Sequence, residues 1–68
     1  METENQPADA VGRQCRLLKP VRDREGRNHF DERPRIIRDF YNLDRRMFMV
    51  RFDDGTTTLV FPDEVALC

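Results

Sequence analysis

The chain has no tryptophan, three glycines, four prolines, two cysteines and a single histidine in 68 residues. Each shortage excludes something. Cys15, His29 and Cys68 are too few, and too widely spaced, for a four-ligand zinc site. No apolar run approaches the roughly 20 residues that span a bilayer, so no membrane segment is expected. The opening Met1-Glu2-Thr3-Glu4-Asn5-Gln6 is acidic and polar, unlike a secretory signal. The two thiols are therefore expected reduced, and the protein cytoplasmic. Length is the last shortage. A chain of 68 residues holds one small domain, with little room for a deep catalytic pocket.

Net charge looks like another absence, at −1. It hides a segregated pattern. All twelve cations lie between positions 13 and 51, with six acids among them, a balance of +6. Residues 1–12 carry three acids and residues 52–68 carry four, with no cation in either stretch. Eleven of the twelve cations are Arg, whose planar fork grips a carboxylate or a phosphate with two parallel hydrogen bonds.

Residues 1–12 lack the large apolar side chains that would offset ordering, and are expected to form an acidic disordered tail. The fold is expected over 13–68. Arg13–Lys19 reads as a first strand, stopped by Pro20. Residues 20–34 are charged, contain Gly26 and end at Pro34, which predicts a long loop or an irregular hairpin. Val21 and Phe30 are its sizeable apolar residues. Residues 35–41 are β-branched and aromatic, and residues 46–52 alternate strictly, so both predict strands, joined by a turn over 42–45. A helix over 35–50 is the rival reading, from partial 3–4 spacing of Ile36, Ile37, Phe40, Tyr41, Leu43 and Met47. Asp53-Asp54-Gly55 predicts a tight hairpin into a strand at 56–61. Pro62 followed by Asp63 and Glu64 predicts a single 3₁₀ turn, and 66–68 a short last strand.

This order resembles that of an SH3-like barrel. The resemblance is carried by Met47–Gly55, similar to a third strand and distal hairpin, and by Phe61–Leu67, similar to a strand end, 3₁₀ turn and last strand. It implies an all-β, five-stranded small barrel with a long loop between strands 1 and 2. Tudor, KOW and Sm-like domains share related barrels. The absence of Trp, and Glu64 in place of the Tyr after the Pro turn, separate the chain from SH3 domains that read proline-rich peptides. Tyr41 and the Phe residues do not make a Tudor-type cage, and the KOW glycine pattern is missing.

No nucleophile, base and orienting acid stand together in the sequence, so an enzyme is not expected, and neither a cofactor nor a metal is implied. His29 is expected in solvent beside Asp31 and Glu32. Asp53 and Asp54 are accounted for by their turn, without calcium-loop spacing. The candidate partner-binding residues are Arg22, Arg24, Arg27, His29, Phe30, Arg33, Arg35 and Arg51. The favoured function is a non-catalytic interaction module, or small accessory subunit, that meets an acidic protein surface. The alternative is a small barrel binding RNA or DNA through the same Arg side chains, with Phe30 or Tyr41 stacking on a base. Asp23, Glu25, Asp31 and Glu32 would repel phosphate, and a pI near 5.7 is low for that role. A monomer is the simplest state, although Met47 and Met49 on the non-core side of their strand allow a dimer or partner patch.

Overall fold

A computed structural model describes residues 10–68. They form an all-β domain whose strands run β1 (Cys15–Leu17), β2 (Val21–Arg22), β3 (Asn28–His29), β4 (Arg35–Asn42), β5 (Arg45–Arg51), β6 (Thr57–Val60) and β7 (Val65–Leu67). A 3₁₀ turn at Pro62–Glu64 precedes β7. Residues 1–9 of the expected tail lie outside the described residues. Positions 10–12 belong to the folded unit. Ala10 is fully buried, its carbonyl accepts from the Arg13 amide (3.1 Å), and the Gly12 amide donates to the Ile36 carbonyl (2.7 Å).

The strands group as β1–β7, β2–β3 and β4–β5–β6, all antiparallel. This is seven strands in three small sheets, where five strands in one closed barrel were expected. Two of the seven account for the count. They turn the charged stretch after Pro20 into the hairpin β2–β3. Residues 35–51 form the hairpin β4–β5, not a helix. Its turn places Leu43 and Asp44 both at positive φ, 52° and 67°. That is the backbone sense which matches the twist of the two flanking strands.

Main-chain bonds link the sheets. The Cys15 amide donates to the Pro34 carbonyl (2.9 Å), Leu17 to Glu32 (3.1 Å) and Ile36 to Arg13 (2.9 Å). β1 thus lies between β7 on one side and residues 32–36 on the other. The core gathers where these elements meet: Ala10, Cys15, Leu17, Ile36, Phe48, Val50, Phe52, Val60 and Val65. Strict alternation in β5 sends Phe48 and Val50 inward. At one end of this sheet Arg46 closes on Asp39 with two bonds, 3.0 and 2.6 Å. Both cysteines are free, Cys15 buried and Cys68 exposed. Burial, with the nearby Cys68 thiol adding to it, pushes the Cys15 thiol up to about 11. No helix among the described residues is long and apolar enough to cross a membrane.

Candidate anion-binding cleft

Arg35 opens β4 and Arg51 closes β5, and the register sets them directly opposite one another. Like charges in that relation repel. Arg33, two residues before Arg35, lines the same hollow, which holds about 280 Å³ together with Gln14, Ile37, Phe52 and Asp53. Three guanidinium groups therefore border one cleft. Arg35 Nη1 donates to the Gly12 carbonyl (2.5 Å), which ties its guanidinium group to the start of the fold. Among the described residues neither Arg33, Arg35 nor Arg51 pairs with a carboxylate. Three guanidinium groups against the single carboxylate of Asp53 leave the cleft positive, with donors of Arg33 and Arg51 open to an anion.

The other candidate residues fall elsewhere. Arg22 donates weakly to the Asn28 side chain across the β2–β3 hairpin (3.4 Å). Arg27 is shared between Asp54 (3.3 Å) and Glu25 (3.4 Å). Arg24 is exposed in the same turn. Phe30, 69% exposed, borders a second hollow of about 200 Å³ with Arg16, Leu17, Leu18, Lys19 and Asp31. Three of the eight thus converge on the cleft. Gln14, Ile37, Phe52 and Asp53 complete it without any signal in the sequence.

His29 departs furthest from expectation, since only 5% of its surface is exposed. Its ring stacks on Phe52 with centroids 3.6 Å apart and planes 6° from parallel. In the ring plane, Nε2 faces Asp23 Oδ2 at 2.7 Å and Nδ1 faces the Glu32 carboxylate at 2.9 Å. The other oxygen of Asp23 accepts the amides of Glu25 (2.8 Å) and Arg27 (3.0 Å), which caps the β2–β3 turn. One buried carboxylate therefore shapes the turn and holds the histidine. The His29 bond, helped by these amides and opposed by burial, draws the Asp23 carboxyl down to about 2. Burial alone would lower the His29 basicity, but Asp23 and Glu32 outweigh it and raise it.

Asp23, His29 and Asp54 place one potential ligand atom each within 4.8 Å of one another, the spacing of a metal cluster. A cation there would have to displace the proton between His29 and Asp23. It would also compete with Thr56 and Arg27, which already hold Asp54. The arrangement serves as a polar staple that clamps the β2–β3 hairpin to Phe52, which also lines the cleft. No family model, curated protein or solved structure matches the chain.

Proposed function

We propose that the protein is a non-catalytic interaction module that recognises an acidic surface of another protein. The observation that carries this is the cleft, where Arg33, Arg35 and Arg51 stand together with no carboxylate partner among the described residues. Arg35 opposite Arg51 costs stability in the isolated domain. An anion placed between them turns that repulsion into attraction. The accompanying fold reading is an SH3-like small barrel. It is supported by the main-chain order β7, β1, residues 32–36 with β4, then β5 and β6, and by the 3₁₀ turn before the last strand.

Phosphate would satisfy the same forks, so the test compares anions. The protein is titrated with an oligo-glutamate peptide, single-stranded RNA and duplex DNA at low and moderate salt, while amide shifts are followed. The peptide is expected to move Arg33, Arg35, Arg51 and Asp53 most. Steeply salt-dependent binding of RNA or DNA at these residues, with no response to the peptide, would establish the nucleic-acid alternative instead.

A further inference from the structure

The sheet β4–β5–β6 has two apolar faces, and the core covers one of them. Met47, Met49 and Arg51 alternate with the inward Phe48 and Val50, so they point outward. Register carries the assignment across the sheet, because directly paired residues share a face. Phe40 lies opposite Met47, Arg38 opposite Met49 and Arg35 opposite Arg51. On β6, Leu59 lies opposite Met49 and Thr57 opposite Arg51. The register shift between Ile36 and Arg38 adds Ile37 to the outer side, where it lines the Arg cleft. None of Ile37, Phe40, Met47, Met49 and Leu59 belongs to the buried core: Leu59 is 39% exposed and the other four are half-buried on this side. The outer face is thus an apolar stripe bordered by arginines.

We propose that this face docks an amphipathic acidic helix of a partner protein. Its apolar row would sit on Met47, Met49 and Leu59, and its carboxylates on Arg35, Arg51 and Arg38. The inference rests on the acidic-partner reading and specifies the partner's chemistry. Size supports a helix. Three strands put the patch at about 10 Å across, and a helix with its side chains is about 10–12 Å wide. The thioethers can adapt to varied apolar knobs.

Charge selects among occupants. Arg38 lies 5.6 Å over the Phe40 ring, and Arg45 lies 4.4 Å over the Phe61 ring. Neither makes an ion pair among the described residues, so their donors are open to carboxylates. A second copy of the chain, meeting the same face by a two-fold axis, would set this arginine border against itself. Nucleic acid fits the charge but not the apolar centre, and both rings already carry a guanidinium where a base would stack. Residues 1–9 contain three acids but only Met1 as a large apolar residue, too little for an apolar row.

The test uses two synthetic peptides of about 15 residues, long enough to cover the patch as a helix. One carries Leu at helical i, i+3, i+4 and i+7 positions with Glu on its flanks. The other replaces each Leu by Ser. The Leu peptide is expected to bind about tenfold more tightly and to shift the amides around Met47, Met49 and Leu59. Met49→Ser and Leu59→Ser, both outward-facing and checked by melting temperature, are each expected to remove most of that gain and leave the Ser peptide's affinity unchanged. Equal binding of the two peptides would overturn the docking surface while leaving the acidic-partner reading intact. Failure of both peptides would overturn both. Concentration-dependent shifts at these amides with no peptide, together with a dimer in sedimentation, would assign the face to a second copy and overturn the proposal. RNA moving these amides in place of the peptides would overturn it equally.

Discussion

Both ring nitrogens of His29 face carboxylates, at 2.7 and 2.9 Å, and a neutral imidazole has only one N–H to donate. The charged ring satisfies both partners, so the folded state favours the proton. A raised folded value gives stability that is complete below the unfolded value, about 6.5, and is lost as pH rises through the folded one. Asp23 acts in the opposite sense. Its lowered value gives stability that is present above the unfolded value, near 4, and is lost as pH falls towards about 2. Urea midpoints are therefore expected to peak between about pH 4 and pH 6.5 and to decline on both sides. In His29→Gln the decline above about pH 6.5 should disappear. A variant that keeps that slope would show that another group titrates there. Cys15 does not enter this window, since its thiol is held neutral up to about 11.

Leu43 shows the reverse, a residue at odds with its backbone. It sits at φ 52° with 90% of its surface exposed. Its side chain contributes almost no burial, while left-handed φ costs an ordinary residue about 1–2 kcal/mol. Asn tolerates that conformation. Leu43→Asn should therefore stabilise the domain by roughly 0.5–1 kcal/mol, a rise of several degrees in melting temperature. An unchanged or lower melting temperature would mean that Leu43 makes a contact that offsets the strain.

Among the elements, β5 and its Asp-Gly turn were plain in the sequence because each signal is local. Phe48 and Val50 alternate with Met47 and Met49, and Gly55 supplies the φ of 90° that the turn needs. The outer face was partly legible too, through the parity of the same two methionines. The β2–β3 hairpin was legible only as one of two readings, a long loop or an irregular hairpin. It has few apolar residues, and its order comes from Asp23 capping amides two and four residues ahead while gripping His29 six residues ahead. Such a polar clamp leaves no periodicity, so the sequence does not choose between the two. The cleft was half legible for a related reason. Arg33, Arg35 and Arg51 can be counted in a sequence, but their meeting depends on the β4–β5 register.

That register makes two predictions at the element scale. Ile36, fully buried opposite Val50, fills the centre of the core. Ile36→Val removes one methylene, for a cost of about 1 kcal/mol and a fall of roughly 4–8 °C in melting temperature. Arg51→Thr should act the other way. It relieves the repulsion with Arg35 and places a β-branched residue in a strand, a gain of about 0.5 kcal/mol at low salt that shrinks in 0.5 M salt. The same variant should lose binding to the acidic peptides. Stability rising as binding falls is the mark of a charge kept for a partner. If both fall, Arg51 holds the sheet together and the cleft loses its meaning.

At the scale of the whole molecule, folding redistributes the three charge blocks. Asp54 and Glu64, from the acidic end, neutralise Arg27 and Lys19 of the basic middle, and Asp39 neutralises Arg46 within it. What remains unpaired among the described residues is mostly arginine. The charge of residues 10–68 is +2, because three of the chain's acids, Glu2, Glu4 and Asp9, precede them. A near-neutral chain thus presents a cationic domain joined to a short anionic segment. Long-range attraction of an acidic partner follows the total charge and is screened within about 10 Å at 0.1 M salt. Deleting residues 2–9 moves the net charge from −1 to +2. The truncated protein should associate faster with an oligo-glutamate peptide at low salt, by a factor of a few, and at the same rate as the full chain in 0.5 M salt. Dissociation should be unaffected if the acidic segment acts only through its field. A slower dissociation that survives high salt would instead mean that these residues compete directly for the arginine cleft.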